Sequence, residues 1–177
     1  MRKWFVISFT LAQSLSIAAM ADDAAVKKQI QADFNKAMAA LQKHDMKGFM
    51  AFVANDYQFS SPEMKVGKTY IEQTMKYYAN GTNKIHSFSY DIADLKSSGN
   101  TATGKATFTL DSTVRDDQGV MGKLGKTHRM HYAQLFAATW VKSGGRWQRS
   151  REAMIGKPKM TVDGKPYDPL AKPAGAR

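Results

Sequence analysis

The sequence predicts an α+β fold in which helices come first and a meander of long strands follows. In the first half of the chain, apolar residues recur every three or four positions, as in helices with one buried face. In the second half they alternate with polar residues, as in strands with one wet face. A chain of 177 residues without cysteine is long enough to form one domain around an apolar core.

The first residues have the pattern of a secretory signal peptide. Arg2 and Lys3 precede an apolar run that is too short to span a bilayer, and the run ends in Ala19-Met20-Ala21. We therefore expect cleavage of residues 1–21 after Ala21, which would leave a periplasmic or secreted protein with no membrane span. Loss of the two cations lowers the formal net charge from +11 to +9. The remaining cations are scattered, so nucleic acid is not an expected partner.

Three segments have helical periodicity. They are residues 23–43, 46–54 and 68–79, and a short alternating stretch before Pro62 predicts an edge strand between the second and the third. The first segment predicts a buried face made of Val26, Ile30, Phe34, Ala37, Met38 and Leu41.

Four segments have the alternation of strands: residues 85–95, 101–114, 127–142 and 146–155. Ser143-Gly144-Gly145 predicts a hairpin turn between the last two. Four of the five prolines follow Ile155. The folded domain is therefore expected to cover residues 22–156. Residues 157–177 are expected to form a Pro/Lys-rich extended or disordered tail, with a sheet-edge arm through residues 160–162 as the alternative.

Two stretches resemble the NTF2-like superfamily, which includes ketosteroid isomerases and SnoaL-type polyketide cyclases. They are "ALQKHDMKGFMAFVANDYQFSSP", residues 40–62, and the closing hairpin "TWVKSGGRWQRSREAM", residues 139–154. With the order of elements, the resemblance covers about residues 23–155. It implies a cystatin-like cone in which three N-terminal helices pack in a strongly curved antiparallel sheet around an apolar pocket. It also implies a homodimer formed through the outer face of the sheet.

The resemblance argues against ketosteroid isomerase chemistry. The catalytic tyrosine of that family falls on Ala37, its proton-shuttling aspartate on Ser61, and its second oxyanion donor on Ala137. Alanine cannot stabilise an enolate, and serine without an adjacent base cannot abstract a carbon-bound proton. We therefore expect no catalysis of that type.

The same register assigns faces to the last strand. If Ala137 faces the pocket, the returning strand directs one set of side chains inward, namely Gln148, Ser150, Glu152 and Met154. It directs Trp147, Arg149 and Arg151 outward. A β-bulge after Gly145 would exchange the two faces.

Glu152 is then the one inward carboxylate, and two interpretations of it remain open. Arg129 and His131 share the face of Ala137, so His131 beside Glu152 would make a general base, with Ser61 or Tyr57 as the hydroxyl partner. Alternatively, Glu152 pairs with Arg129 as a partly buried ion pair.

No metal or other cofactor is expected. His128 and His131 are three positions apart on a strand, so they lie on opposite faces and cannot share one ion.

The many aromatic and methionine residues predict a pocket for a small apolar or amphipathic molecule. The ligand-binding candidates are Tyr57, Phe59, Ser61, Met75, Tyr90, His131 and Glu152. Binding without isomerase-type catalysis is the expected function. One alternative is a lyase, hydrolase or isomerase that uses His131 and Glu152, with Ser61 as a further catalytic candidate. Another is an envelope protein-interaction module that acts through the outer sheet face and the basic tail.

Overall fold

The computed structural model describes residues 7–79, 83–119, 121 and 123–168, and for residues 7–21 the backbone alone. Within these residues the chain forms three helices and one seven-stranded sheet. The helices are α1 (Ile7–Gln42), α2 (Met46–Met50) and α3 (Lys68–Ala79). The strands are β1 (Val53–Ser60), β2 (Lys65–Gly67), β3 (Lys84–Ser98), β4 (Thr101–Arg115), β5 (Thr127–Ser143), β6 (Arg146–Val162) and β7 (Lys165–Tyr167). The α+β class is as the sequence predicts.

The sheet is mixed, whereas the sequence predicts a wholly antiparallel one. Its strand order is β2-β1-β6-β5-β4-β3, with β7 paired to the end of β6. Strands β3 to β6 form an antiparallel meander, but β1 runs parallel to β6. Parallel pairing requires a long connection, which α3 and the meander provide. Contrary to what the resemblance implies, the three helices are not contiguous at the N-terminus: β1 and β2 separate α2 from α3, in the order that the periodicity predicts.

Helix α1 covers one face of the sheet, which we call the inner face. The residues predicted for its buried side, Val26, Ile30, Phe34, Ala37, Met38 and Leu41, are all buried. Gln31 Nε2 donates to the Tyr90 carbonyl at 3.2 Å, and Trp147 Nε1 donates to Gln29 Oε1 at 3.2 Å. These bonds join α1 to β3, at one edge of the sheet, and to β6 in its middle.

Helix α2 is shorter than the sequence predicts, because the chain becomes β1 at Val53. The Phe52 carbonyl accepts a hydrogen bond from Arg149 N at 2.8 Å, which ties this segment to β6. Asp45 caps the start of α2 through Oδ1, which accepts from Gly48 N at 2.9 Å. The predicted residues 51–54 of the helix are therefore taken by the connection and the start of β1.

Irregular pairings interrupt and bend the sheet. One lies in β3 between Ala93 and Lys96, where Asp94 has φ of 54°. Gly104 faces this bulge, and a Cβ at Gly104 would lie 2.9 Å from the Ala93 carbonyl oxygen. Glycine is therefore required for β4 to approach the bulged strand this closely.

The sheet continues past Gly156, where the sequence analysis places the end of the domain. Strand β6 extends to Val162 and turns into β7, so residues 157–168 include a sheet-edge arm rather than an unpaired tail. Met160 pairs with Tyr132 and packs against the core, and His128 Nδ1 lies 2.7 Å from Asp163 Oδ2. Pro158 falls between the paired residues Ile155 and Lys159, where no ladder hydrogen bond is needed.

Several sequence predictions concern residues outside the described ones. The predicted signal peptide covers residues 1–21, of which residues 1–6 and the side chains of residues 7–21 are not described. The tail beyond residue 168 is likewise outside. Cleavage, export and the homodimer stay predictions. No helix in the described part of the chain is both long enough and apolar enough to cross a membrane.

Candidate functional site

The helices and the inner face of the sheet enclose a cavity of about 480 Å³, which is within the size range of small-molecule sites. Its wall is mostly aromatic and aliphatic. Helix α3 closes one side with Ile71, Thr74, Met75 and Tyr78. The sheet and α1 supply the opposite side, which includes Phe34, Phe59, Phe108, Tyr132 and Phe136.

Four residues form a polar floor in this cavity: Tyr57, Tyr90, Arg149 and Glu152. Arg149 Nη1 donates to Glu152 Oε2 at 3.1 Å, and the Tyr57 hydroxyl donates to the same oxygen at 2.5 Å. The Tyr90 hydroxyl donates to Glu152 Oε1 at 3.3 Å. The side chains of Arg149 and Glu152 are only 15% and 3% exposed, so this ion pair is largely withdrawn from water.

A β-bulge in β6 places Arg149 and Glu152 on one face. Residues three apart on a regular strand point to opposite faces. Here Trp140 pairs with Arg149 and the adjacent Thr139 pairs with Arg151, so Ser150 is an extra residue in β6. The extra residue resets the alternation, and both charged side chains reach the cavity.

Aromatic contacts hold the polar floor in position. The Tyr90 ring stacks on Phe34 with a centroid distance of 4.5 Å and an interplanar angle of 17°. The Arg149 guanidinium carbon lies 5.2 Å from the centroid of the Tyr57 ring and 5.8 Å from that of Phe49. The cation is therefore held by a carboxylate and by two ring faces.

Burial sets the protonation of the donors in the floor. Burial, followed by the charge of Glu152, raises the pKa of Tyr57 and that of Tyr90 well above the usual 10.0. Burial opposes the charge of Arg149, but Glu152, Tyr57 and Tyr90 outweigh it and raise its pKa. All three groups therefore keep their hydrogens at neutral pH and donate to Glu152.

No protein-family model matches the chain, and no curated protein matches it in sequence. Solved structures do match. A nuclear transport factor 2 (NTF2-like) superfamily protein from Salmonella enterica is 17% identical, with a TM-score of 0.50 over 75% of this chain and 92% of that chain. The chain has the NTF2-like fold.

Two further structures share the architecture. A putative scytalone dehydratase from Novosphingobium aromaticivorans is 15% identical, with a TM-score of 0.55 over 89% of this chain and 99% of that chain. A protein of unknown function from Mycobacterium tuberculosis is 14% identical, with a TM-score of 0.52 over 88% of this chain and 80% of that chain. At these identities the NTF2-like fold is shared, but an activity does not follow.

Five of the seven ligand-binding candidates line the cavity of this NTF2-like fold: Tyr57, Phe59, Met75, Tyr90 and Glu152. The other two do not. Ser61 Oγ accepts from Met64 N at 3.2 Å and stabilises the turn between β1 and β2. His131 is exposed on the outer face, opposite Asp111 of β4.

The predicted face of β5 is wrong by one residue. Its inner face carries Met130, Tyr132, Phe136, Ala138 and Trp140, as their burial shows. Ala137 is therefore on the outer face and does not occupy a pocket position. Ala37, the other alanine assigned from the isomerase pattern, is buried on α1 but does not line the cavity.

Both predicted partners of Glu152 lie elsewhere. Arg129 donates from Nε and Nη2 to the two carboxylate oxygens of Asp111, each at 2.6 Å. His131 shares that outer face. Because the sheet separates both residues from Glu152, neither an Arg129–Glu152 ion pair nor a His131–Glu152 general base is formed. The charged partner of Glu152 is Arg149, which the predicted register directs outward.

The predicted faces of the β6 side chains are wrong before the bulge and correct after it. Trp147 and Arg149 precede the bulge and face inward, against the prediction, and Gln148 faces outward and donates to the Ala51 carbonyl at 3.0 Å. Ser150 is the inserted residue. The residues that follow it agree with the prediction: Arg151 is exposed on the outer face, whereas Glu152 and Met154 face inward.

The two histidines on β5 lie on opposite faces, as their spacing predicts. His128 is buried beside Asp163, whereas His131 is exposed. In the described ranges, no group of three or more His, Asp or Glu side chains is placed to hold a metal ion.

Tyr78 and Tyr132, in the cavity wall, should make the folded protein less stable at alkaline pH. Burial raises the pKa of Tyr78 to about 12, and burial with the charge of Glu152 raises that of Tyr132 to about 12, from 10.0. Above pH 10 the unfolded chain releases these protons while the folded chain retains them. The free energy of unfolding should therefore fall between pH 10 and 12, by on the order of 2 kcal/mol per tyrosine.

Urea denaturation from pH 9 to pH 12 measures this fall. A variant with Tyr78→Phe and Tyr132→Phe should lose the part of this fall that these two tyrosines contribute, whereas Tyr57 and Tyr90 keep theirs. Tyr70→Phe, at an exposed position, is the matched control. Equal slopes for the wild type and the double variant would refute the prediction.

Proposed function

We propose that this protein binds a small, mostly apolar molecule in the cavity of its NTF2-like fold, without catalysis of the ketosteroid isomerase type. The size of the cavity and its aromatic and aliphatic wall support binding. The single observation that carries the proposal is the hydrogen-bonded polar floor in a mostly apolar cavity, because it gives a bound molecule a defined polar contact.

The direction of the hydrogen bonds supports the absence of isomerase-type catalysis. Stabilisation of an oxyanion requires donors that point at the reacting oxygen of the substrate. Here Tyr57, Tyr90 and Arg149 all donate to Glu152. The hydroxyl hydrogens of Tyr57 and Tyr90 are used within the protein, and the carboxylate that they hold is paired with a cation rather than placed as a free base.

The proposal includes export, which rests on the sequence of residues 1–21. An exported binding protein of this size would meet apolar molecules in the periplasm or outside the cell. In this proposal the cationic side chains on the surface have no binding role.

Binding of N-phenyl-1-naphthylamine, an uncharged probe whose fluorescence rises in apolar surroundings, tests the proposal. We expect saturable one-to-one binding to the wild type. Met75→Trp fills the cavity from α3 and should weaken binding by about tenfold or more, because the bulky ring takes the space of the probe.

Ala137→Trp is the matched control, because it adds the same ring to the outer face. It should leave the affinity for the probe unchanged. Absence of saturable binding, or equal affinities for Met75→Trp and the wild type, would contradict the proposed function.

A further inference from the structure

The hydrogen-bonding capacity of Glu152 is only partly used. A carboxylate oxygen accepts about two hydrogen bonds. Oε2 receives two, from Arg149 and Tyr57, whereas Oε1 receives one long bond of 3.3 Å from Tyr90. Glu152 lines the cavity, so Oε1 offers an acceptor position to a bound molecule.

The two tyrosine hydroxyls of the floor have no hydrogen left for a ligand. A phenolic hydroxyl carries one hydrogen, and those of Tyr57 and Tyr90 are directed at Glu152. Arg149 uses one N–H group of Nη1 for the same carboxylate, and its Nε is buried without a partner. Its other Nη hydrogens stay available beside the carboxylate. The floor therefore presents the acceptor Oε1 to the cavity, next to the guanidinium of Arg149.

The charges of the site are balanced. Among the described residues that line the cavity, Arg149 and Glu152 alone are charged, and they neutralise each other. A charged group on a ligand would be moved from water to an apolar wall without a counter-ion, which is strongly unfavourable. An uncharged hydrogen-bond donor meets no such cost.

We propose that the ligand is an uncharged apolar molecule that bears a hydroxyl group, and that this hydroxyl donates its hydrogen to Glu152 Oε1. The inference rests on the proposed function and adds the chemical class of the ligand. Tyr132 lines the same cavity and is a second polar residue for the hydroxyl oxygen of the ligand.

The proposed chemical class of the ligand can be tested by displacing N-phenyl-1-naphthylamine with three naphthalenes of similar size. 2-Naphthol can donate a hydrogen bond, 2-methoxynaphthalene can only accept one, and 2-naphthoate carries a negative charge. We expect 2-naphthol to displace the probe at concentrations about tenfold or more below those of the other two, because a hydrogen bond to a charged group discriminates by this much.

Glu152→Gln tests the role of the carboxylate without changing its size. Two donors converge on Oε2, so the amide oxygen of glutamine takes that position and the NH₂ group takes the position of Oε1. The acceptor becomes a donor. The preference for 2-naphthol should then be lost, and 2-methoxynaphthalene should displace the probe as well or better. Arg151→Gln, on the outer face, is the control and should keep the preference.

The outcomes separate the two proposals. If the probe does not bind the wild type, the proposed function fails. If the probe binds but 2-naphthol and 2-methoxynaphthalene displace it equally, or if Glu152→Gln keeps the preference while still binding the probe, the function stands and the hydroxyl ligand is refuted. Preferred displacement by 2-naphthoate also refutes it, because the floor would then select an anion.

Discussion

Glu152→Leu is expected to lower the free energy of unfolding by about 3–5 kcal/mol, because it removes one partner of a buried ion pair. The remaining Arg149 side chain is 15% exposed and would be left without its carboxylate. The Tyr57 hydroxyl, which donates to Glu152 at 2.5 Å, would lose its acceptor as well. Urea denaturation followed by circular dichroism measures the change.

A double variant separates the ion pair from the general effect of a substitution in the cavity. Glu152→Leu combined with Arg149→Met removes both charges and should recover much of the lost stability, since a buried pair is often replaceable by apolar residues. Arg151→Met, two residues from Arg149 but exposed, should change stability by about 0.5 kcal/mol or less. A double variant no more stable than Glu152→Leu would contradict the ion-pair account.

Trp147→Ala should lower the free energy of unfolding by about 3–5 kcal/mol, as much as Glu152→Leu. Trp147 is 1% exposed, and its Nε1 donates to Gln29 on α1 at 3.2 Å. The substitution removes a large buried side chain and a link between α1 and β6. The same denaturation experiment measures it.

Trp147→Ala also discriminates between the two registers of β6. Uninterrupted alternation through Glu152 directs Trp147 outward, where its loss would cost about 0.5 kcal/mol. Trp147→Phe, which keeps most of the apolar surface but not the N–H group, should lie between the wild type and alanine. An alanine variant as stable as the exposed Arg151→Ala control would show that Trp147 is not in the core.

The helices and long strands follow from local patterns in the sequence. Helix α3 begins and ends at the residues that its periodicity predicts, and the predicted buried side of α1 is the observed one. The parallel pairing of β1 with β6 does not follow from such patterns, because it joins segments separated by about half the chain. Local periodicity carries no information on which distant strands become neighbours.

The site was predictable in part. The alternation of β5 itself indicates the correct inner face, since its large apolar residues, Met130, Tyr132, Phe136 and Trp140, share one side. The register taken from the isomerase pattern overrode that signal and directed Ala137 and His131 inward. The alternation of large apolar residues on β5 places His131 on the opposite face, away from the cavity.

The pairing of Arg149 with Glu152 could not be obtained from alternation alone. Their spacing places them on opposite faces of a regular strand, and the inserted Ser150 leaves no distinctive mark in the sequence. A usable signal was the conflict on β6 itself: Trp147 and Glu152 can both face the core only if one residue between them is extra.

The most direct test of the cavity as a binding site is an NMR measurement with methyl-labelled methionine. With N-phenyl-1-naphthylamine bound, nuclear Overhauser effects should connect the probe to the methyl groups of Met75, Met130 and Met160, which line the cavity. Met64, which is 39% exposed and lies outside the cavity, should show none. Contacts to Met64 in place of Met75, Met130 and Met160 would contradict the account.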